Sequence, residues 1–496
     1  MLNETLPRAA NPRRSVRGHL PPAVKPLQSQ RLVFCWIIYA VCLVCFASFA
    51  YLATQATAVG QASKAKRLTR LFYHEDETAA LRWADVLVSG NTLRLGLTSV
   101  VRNWPQLSPE KQHLTQLQAL DSWLLSGLRD SEGGQYGSGW LLTYAGVRNV
   151  PHGDHHDWRY DTLPFVADSR IDQKQGNPAH VYSYGEAFYV AHDLLNGYSR
   201  VAPRSYEVRG GKLVRRGQPH FIPGGGNHIT LAVDRDRVGY ACWIDREGDN
   251  KGRVDVSVIR PGGESFIMYT FHLPWGGLHG AIVNSGKLFV APEKDIVWLP
   301  VLEDLSVKPQ SLSYHTLELG QQGDQALRTG AFSSYKNYVL FTTGREKPML
   351  GVINAALQQP QLTMVALSAR KGLRPTSPKV VQTSQGKVLA LICHDKPGDA
   401  ELEEILDIVE LDPNGDGFFE DARLAHTLSI GPSAVQGHFG HHHVAVDADG
   451  RYAFVSNPGN GTLQAIRLKD YALVATWSVG GKPSDLVAVG GLEDHH

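Results

Sequence analysis

Histidine and aspartate are concentrated in two short segments of this chain, and both residue types bind divalent metal ions. The first segment, PHGDHHDW, holds His152, Asp154, His155, His156 and Asp157. The second segment, GHFGHHHV, holds His438, His441, His442 and His443. Neutral imidazole nitrogen and carboxylate oxygen are the donors that zinc takes in proteins. The two segments together predict a zinc site, although any single histidine is more simply explained as a solvated or core residue.

Further histidines stand at the starts of an internal repeat. Seven segments recur at intervals of about 40 to 65 residues, and they begin at His180, His228, His279, Arg328, Pro378, His443 and Ser484. Each segment has a short apolar strand, a polar turn such as DADG or TSQG, and a second strand rich in Val, Phe, Tyr and Leu. This is the pattern of a β-hairpin.

A repeat of this length with several strands per unit predicts an all-β fold, a seven-bladed β-propeller. The last repeat is followed by almost no chain, so strands from elsewhere must complete its blade; we expect residues 137–150 to supply them. Eight blades are the alternative, because residues 66–130 hold strand-like pieces such as NTLRLGLTSVV. A helix over residues 109–128 competes with that interpretation.

The propeller arrangement brings the candidate ligands together. First strands line the channel, so the residues that begin them converge near one mouth. We expect the tightest zinc site to use His152, Asp154, His155 and His180. His228, His279, His438 and His443 complete the predicted set of metal ligands. In a ring, the blade that follows the second histidine segment lies close to the start of the count, so the two segments could face each other across the channel.

The N-terminal region predicts a membrane anchor. Residues 32–54 carry no charge and are long enough, at about 1.5 Å per residue, to span a bilayer core of about 30 Å. The basic tail before them favours a cytoplasmic start and a propeller in the bacterial periplasm, attached to the inner membrane by a single pass. A cleaved signal peptide is the alternative. The predicted regions are a tail (residues 1–31), the transmembrane helix (32–54), a linker and extension (55–136) and the propeller (137–491).

The overall composition excludes several classes of protein. With 43% hydrophobic and 20% charged residues and a formal charge of +1, the chain is neither disordered nor built to bind nucleic acid. Cys242 and Cys393 stand in blades that are not neighbours, so we expect two buried thiols rather than a disulfide. No methionine or cysteine lies within a histidine segment, which disfavours Cu(I).

A second metal motif is weaker. Asp412, Asn414 and Asp416 with Gly417 match the opening of a calcium-binding loop. The twelfth position, where calcium loops have a bidentate glutamate, is Arg423. We favour an acidic turn here over bound Ca2+, and keep calcium as the alternative.

Several of these segments resemble the AztD type of periplasmic zinc metallochaperone, a propeller that serves zinc ABC transporters. The resemblance covers residues 137–491 and is carried by HGDHHDW, GNPAHVYSYGEAFYVAHD, GGLHGAIVNSGKLFVAP and the ending from GHFGHHHV onward. It places the family's HGDH element on residues 152–155 and its channel histidines on His180, His228, His279 and His438. It implies that zinc passes to a periplasmic solute-binding protein. The predicted anchor, the added N-terminal region, Arg328 and Pro378 depart from the family pattern.

Three classes of function compete. The first is a membrane-anchored periplasmic zinc-binding protein that buffers or delivers the metal. The second is a metal-dependent enzyme of hydrolase type, in which Asp154 or Asp157 acts as general base beside an open coordination position. The third is a scaffold for protein interactions. We expect the first, and therefore no catalytic residues.

Overall fold

The fold is an eight-bladed β-propeller. The computed structural model describes residues 65–493 except 154, 210–211, 302–311 and 398–401. Eight antiparallel sheets form the blades. The first takes a strand from the C-terminal end of the chain, and in the second and third a small hairpin is inserted between the third and fourth strands. The described residues contain no α-helix, only the 3-10 turns Asp193–Leu195 and Pro203–Ser205. The structure thus confirms an all-β propeller and selects the eight-bladed alternative over seven.

The strands of each blade are given from the innermost outward. Blade 1 has Pro483–Val489, Lys66–Glu75, Ala80–Ser89 and Thr92–Leu95, with Ser99–Val100 added to the third of these. Blade 2 has Gln112–Leu120, Trp123–Asp130, Ser138–Tyr144 and Phe165–Asp172. Blade 3 has His180–Tyr184, Ala187–His192, Gly197–Val201 and His220–Pro223. Blade 4 has Thr230–Asp234, Val238–Cys242, Arg253–Val258 and Phe266–His272.

The second half of the ring follows the same order. Blade 5 has Gly280–Asn284, Lys287–Ala291, Ile296–Pro300 and His315–Leu317. Blade 6 has Ser333–Tyr335, Tyr338–Thr343, Met349–Asn354 and Gln361–Ala366. Blade 7 has Lys379–Gln382, Val388–Asp395, Ile405–Glu410 and Arg423–Ser429, and Arg374–Pro375 also pairs with its second strand. Blade 8 has Val444–Val446, Tyr452–Asn457, Thr462–Arg467 and Ala472–Ser478.

In the part of the chain that the structure describes, three small hairpins lie outside the blade sheets. They are Arg148–His152 with His155–Arg159, Tyr206–Arg209 with Lys212–Arg215, and Gln321–Gln322 with Gln325–Ala326. The first of them carries the HGDHHDW segment.

The turns predicted from the repeat are formed as expected. In the DADG turn of blade 8, the Asp447 side chain accepts hydrogen bonds from the backbone N–H groups of Arg451 and Tyr452, at 3.0 and 2.6 Å. Gly450 has a φ of 64°, a conformation that glycine adopts without the steric cost of a side chain. A buried aspartate and a glycine therefore reverse the chain between the two apolar strands.

The core lies between the blades. Each pair of neighbours shares an apolar cluster, as where Tyr189 of blade 3 packs with Leu231 of blade 4, and Phe454 of blade 8 with Tyr73 of blade 1. All four of these side chains are buried. Because each cluster takes residues from two sheets, no blade buries its apolar faces by itself.

The ring closes differently from the prediction. The C-terminal strand Pro483–Val489 pairs with Lys66–Glu75, with Phe72 opposite Val487. The prediction that residues 137–150 supply the closing strands was wrong, since Ser138–Tyr144 is the third strand of blade 2. The expected propeller start at residue 137 falls within that blade. The strand-like pieces before it form the outer strands of blade 1.

The possible helix over residues 109–128 is instead the inner hairpin of blade 2. A register shift between Leu114 and Leu117 brings both side chains into buried positions three residues apart. A β-bulge therefore produced the apolar spacing that resembled a helix.

No helix among the described residues is long and apolar enough to cross a membrane. The transmembrane helix predicted over residues 32–54 lies outside the described part of the chain.

Strand direction defines the two ends of the ring. All pairings within the blades are antiparallel, so the starts of the innermost strands and the loops between second and third strands share one end, here called the histidine end. Connections between third and fourth strands emerge at the opposite end.

We expect Leu486→Ala to destabilise the propeller by about 2–5 kcal/mol, the usual loss for a large-to-small core substitution. Leu486 is 4% exposed on the closing strand and packs among the residues shared by blades 8 and 1. Leu473→Ala, at a leucine that is 44% exposed, is the matched control. Denaturant midpoints of the two variants measure the difference. Equal midpoints would contradict closure by the C-terminal strand.

Candidate metal centre

Four histidines meet at the histidine end; we call His180, His228, His279 and His438 the mouth cluster. The Nε2 atoms of His180 and His228 are 2.9 Å apart. The ring of His228 stacks on His279 and on His438, with centroids 5.1 and 5.8 Å apart. The rings of His180 and His279 lie edge to face at 6.3 Å. Imidazoles from four separate segments thus surround one small volume.

The blade repeat positions three of the four. His180 begins the innermost strand of blade 3, and His279 directly precedes that of blade 5. His228 lies two residues before the innermost strand of blade 4. Equivalent positions on consecutive blades therefore point into the same mouth, as the sequence predicted.

His438 reaches the cluster on a loop that connects blades 7 and 8. Backbone hydrogen bonds between Gln436 and Phe439 close the tip of the loop, and the N–H of Ala434 donates to Gly440. Gly440 has a φ of 72°, and a Cβ there would stand 2.1 Å from the Ala434 carbonyl oxygen. Phe439 also packs on His113 of blade 2, with ring centroids 5.4 Å apart. The loop therefore crosses the mouth of the channel and is fixed at both ends.

Hydrogen bonds orient the imidazole rings. Nδ1 of His279 donates to the Gly330 carbonyl at 3.0 Å, which leaves Nε2 with a lone pair. Nδ1 of His228 lies 3.6 Å from Asp193 Oδ2. Asp193 in turn accepts from Arg129 and from the backbone N–H of Ile229, at 3.1 and 3.2 Å. A carboxylate or carbonyl behind a histidine is the usual support for a metal-binding imidazole.

The mouth cluster favours neutral imidazoles. Burial lowers the pKa of His180 well below its ordinary value, and the positive potential of His228, His279 and His438 lowers it further. Burial is also the main cause of the lowered pKa of His279 and of His438. Neutral imidazole is the form that binds metal, so these three rings are in the binding form at neutral pH.

The rest of the second histidine segment is tied to a buried carboxylate. Nδ1 of His441 and Nδ1 of His442 donate to the two oxygens of Asp395, at 2.7 and 2.6 Å. Nε2 of His442 donates to the Gly431 carbonyl at 2.7 Å. Both of these partners can only accept, so both ring nitrogens of His442 carry protons and the ring is an imidazolium.

The pKa values agree with that assignment. Burial alone would raise the pKa of Asp395, but the hydrogen bonds from His441 and His442 lower it to about 2. Burial alone would lower the pKa of His442, but the hydrogen bond to Asp395, the charges of Asp395 and Glu404 and the hydrogen bond to the Gly431 carbonyl together raise it. Within the described residues, Asp395, Glu404 and His442 are the group of three whose ligand atoms lie within 4.8 Å of one another. An imidazolium ring has no free lone pair with which to bind a metal. The three side chains therefore form a cluster of ion pairs in this structure rather than a metal site.

His443, the last of that segment, faces a different carboxylate. Its Nε2 lies 3.3 Å from Asp485 Oδ1, and its side chain is 40% exposed. The structure therefore separates it from the mouth cluster, with which the sequence grouped it.

The HGDHHDW segment does not join the mouth cluster. It forms the hairpin Arg148–His152 with His155–Arg159, between the third and fourth strands of blade 2. That connection lies at the end opposite the mouth. His152 is exposed and lies 3.6 Å from Asp157. Asp154 and the side chain of His155 are outside the described structure. The predicted combination of His152 with His180 is therefore not formed, nor do the two histidine segments face each other.

The predicted calcium loop is an exposed turn whose oxygens serve its own backbone. Asp412 accepts from the Gly417 N–H at 3.0 Å, and Asp416 accepts from the Phe418 N–H at 2.8 Å. Arg423, at the twelfth position, lies 3.4 Å from Glu410. These contacts favour the acidic turn. Cys242 and Cys393 are both free and buried, as predicted.

Sequence reasoning missed the residues that support the histidines. Asp193 and Asp395 each directly follow a histidine at the end of a second strand. The ends of second strands lie at the histidine end of the ring. Correct assignment of every strand to its blade would therefore have placed both carboxylates beside the mouth. His74 had no signal, because the strand that carries it was not assigned to the blade that the last repeat begins.

An eight-bladed propeller with an imidazole cluster at one mouth is the class of protein that the fold and the site define. Two solved structures share this fold. AztD from Citrobacter koseri aligns with a TM-score of 0.58 at 14% identity, covering 87% of this chain and 100% of that one. Its apo form aligns with a TM-score of 0.55 at 12% identity, covering 86% and 100%. These alignments support the resemblance to AztD-type proteins that the sequence indicated.

The other comparisons add little. No protein-family profile matches the sequence. One curated protein, the energy-coupling factor transporter ATP-binding protein EcfA of Syntrophomonas wolfei, is 25% identical over 132 residues. The match covers 25% of this chain and 48% of that protein's length. The sequence has no G-x-x-x-x-G-K-[ST] phosphate-binding motif.

The Asp395 cluster generates a prediction about stability. We expect Asp395→Asn to cost about 3–5 kcal/mol, because it removes the carboxylate that accepts hydrogen bonds from His441 and His442 and leaves only Glu404, at 3.6 Å, beside the buried His442 imidazolium. The lowered pKa of Asp395 contributes stability above about pH 3.8, which is lost as the pH falls toward 2. The raised pKa values of His441 and His442 contribute stability below about pH 6.5, which is lost as the pH rises through them. The difference from the wild type should therefore be largest at about pH 4.5–6.5.

Melting temperatures of the two proteins between pH 3 and 9 measure this difference. Asp470→Asn, which breaks an exposed pair with Arg467, is the control and should cost at most about 1 kcal/mol. A difference from Asp395→Asn that does not change with pH would mean that His442 is neutral.

Proposed function

We propose that this protein binds zinc at the mouth cluster and passes the ion to a partner protein. The observation that carries the proposal is the convergence of four imidazoles, two of which bring their Nε2 atoms to 2.9 Å. A zinc ion with bonds of about 2.0–2.1 Å to nitrogen is tetrahedral, and four histidines supply the number of donors that it needs. The rings must move closer together around the ion, because no three of their ligand atoms lie within 4.8 Å of one another in this structure. The lowered pKa values of His180, His279 and His438 support metal binding at neutral pH.

The arrangement supports binding rather than catalysis. The carboxylates that the sequence offered as general bases belong to the HGDHHDW hairpin, and Asp157 lies at the end opposite the mouth. Asp193, the acid beside the cluster, is already held by Arg129 and Ile229. Catalytic zinc sites instead keep a position open for water next to a base.

The resemblance to AztD-type proteins implies a periplasmic solute-binding protein as the acceptor of zinc. We further propose that residues 32–54 anchor the chain in the inner membrane, with the propeller in the periplasm. The loop that carries His438 forms one side of the cluster, and its displacement would remove one ligand together with the contact of Phe439 with His113 of blade 2.

Loss of a hydrogen bond that supports a metal ligand weakens metal binding roughly 10- to 100-fold. We expect His228→Ala, which removes a ligand itself, to weaken zinc binding by more than this. His228 contacts the three other rings of the cluster. Competition against a chromophoric chelator measures the affinity. His272→Ala removes an exposed histidine of blade 4 and should change nothing.

His152→Ala distinguishes the two candidate sites. The structure leads us to expect unchanged affinity, because this residue lies at the opposite end. If His152→Ala weakens binding and His228→Ala does not, the tight site is on the hairpin and the mouth cluster is structural.

Transfer is tested with the zinc-loaded protein. We expect a periplasmic zinc solute-binding protein to take the ion faster than a chelator that waits for spontaneous dissociation. The measurement is zinc content of the separated proteins against time. Equal rates for acceptor and chelator would contradict delivery and leave a buffering role.

A further inference from the structure

Exposed apolar side chains and unpaired guanidinium groups flank the mouth cluster at the histidine end. We propose that they form the docking surface for the protein that accepts the ion, a partner whose contact face combines apolar side chains with carboxylates. This proposal rests on the proposed function and names the surface by which the zinc-loaded protein meets its acceptor. The surface, here called the rim, consists of an apolar patch on blade 3 and three arginines on or beside blades 4 to 6: Leu194, Leu195, Phe221, Arg246, Arg328 and Arg345.

The apolar patch lies directly beside the mouth. Leu194 and Leu195 belong to the 3-10 turn Asp193–Leu195, which joins the second and third strands of blade 3 at the histidine end. They are 60% and 43% exposed, and Phe221 on the fourth strand is 44% exposed. Asp193, the first residue of the turn, lies 3.6 Å from Nδ1 of His228. The patch therefore begins one residue away from the carboxylate that supports a mouth histidine.

The patch is contiguous and held in place by the backbone beneath it. The N–H of Leu194 donates to the Gly176 carbonyl at 2.9 Å. Leu195 covers Gly176, where a Cβ would stand 2.4 Å from the leucine Cγ and 3.2 Å from Cβ of His192. The His192 ring lies 6.2 Å from that of Phe221. Single exposed apolar side chains are ordinary, whereas contiguous ones mark surfaces that bind other proteins.

The three arginines lie on the other side of the mouth. Arg246 and Arg345 stand in the loops between the second and third strands of blades 4 and 6, and both are exposed. Half-buried Arg328 precedes the innermost strand of blade 6. A Cβ on Gly277, two residues before His279, would stand 3.6 Å from Cγ and Nε of Arg246. All three positions are at the histidine end.

Hydrogen bonds place the other two arginines beside the same histidine. The carbonyl of Arg328 accepts from Thr343 Oγ1 at 2.8 Å, and Arg345 follows that threonine by two residues. Gly330, two residues after Arg328, accepts from His279 Nδ1 at 3.0 Å. The arginines thus belong to segments that contact one another around one member of the mouth cluster.

The guanidinium groups have no counter-ion of their own. In the part of the chain that the structure describes, the side chains of Arg246, Arg328 and Arg345 make no hydrogen bond or ion pair. Burial lowers the pKa of Arg328, and the charges of Arg246 and Arg345 lower it further, while Glu293 acts in the opposite direction. Guanidinium binds carboxylate through two parallel hydrogen bonds. Carboxylates brought to this side of the mouth would remove the repulsion.

A zinc acceptor has the complementary charge. Its own metal site offers imidazole and carboxylate ligands, so the entrance to that site carries the negative charge that the arginines lack. Opposite charges on two contact faces speed association and make it sensitive to salt. Apolar contacts on blade 3 would then hold the acceptor against the mouth while the ion changes ligands.

The test is the rate at which the zinc-loaded full-length protein gives its ion to a purified, metal-free periplasmic zinc solute-binding protein. We expect Leu194→Asp, and the double variant Arg328→Gln with Arg345→Gln, each to slow transfer about tenfold or more, as loss of a central interface contact does. Zinc affinity, measured by competition with a chromophoric chelator, should stay within about twofold of the wild type, because no ligand is removed. Leu473→Asp and Arg423→Gln, at exposed residues of the opposite end, are the matched controls and should transfer normally.

Salt gives a second measurement. Raising the ionic strength from about 0.05 to 0.5 M should slow transfer from the wild type and have much less effect on the double arginine variant. Transfer that responds to salt equally in both proteins would contradict the role of the arginines.

The outcomes separate this proposal from delivery itself. If the wild type transfers faster than it loses zinc spontaneously and the rim variants transfer equally fast, delivery stands and the docking surface is wrong. If the wild type transfers no faster than it loses zinc, both are wrong. If the rim variants lose zinc affinity, or if the controls slow transfer as much, the rim acts on the metal site or on stability and the proposal fails. Circular dichroism of each variant checks that the fold is retained.

Discussion

Packing between neighbouring blades is the interaction on which the rest of this structure depends. Each sheet is apolar on both faces, and a fully buried leucine or phenylalanine contributes about 1.5–3 kcal/mol. That contribution exists only if a neighbour covers each face, so the ring must close. Closure by Pro483–Val489 pairs the C-terminal strand with the first described strand of the chain. The mouth cluster follows from it, since the strand starts converge only in a closed ring.

Histidines of one segment end in different electrostatic states because their partners differ. His442 has two acceptors at hydrogen-bond distance and is charged. His438, three positions before His441, faces other imidazoles and is kept neutral. His443 faces Asp485 at 3.3 Å, a separation longer than a strong ion pair. A histidine-rich stretch of sequence therefore predicts that imidazole is the type of ligand. Which of its rings is free to bind a metal depends on the side chains that the neighbouring blades place beside each ring.

The repeat made most of the fold predictable. Its seven starts match the innermost strands of blades 3 to 8 and the closing strand of blade 1. Blade 2 was missed because the bulge between Leu114 and Leu117 gave a strand the apolar spacing of a helix. His180, His228, His279 and His438 were predicted as ligands and do meet. His152 was grouped with them because its position in the sequence does not show at which end of blade 2 its hairpin lies. Asp193, Asp395 and His74 could not be chosen without knowing that end.

The loop that carries His438 has a mechanical consequence. Blade 8, which follows the loop, lies opposite blade 4 in a ring of eight, yet the loop brings its histidine against His228 at the start of blade 4. An ion shared by these rings is a cross-link over the diameter of the propeller. Because the blades are already held by their own packing, losing this cross-link would leave the frame intact and the loop held by its own backbone hydrogen bonds and by the contact of Phe439 with His113. Release of such an ion would therefore require no loosening of the core.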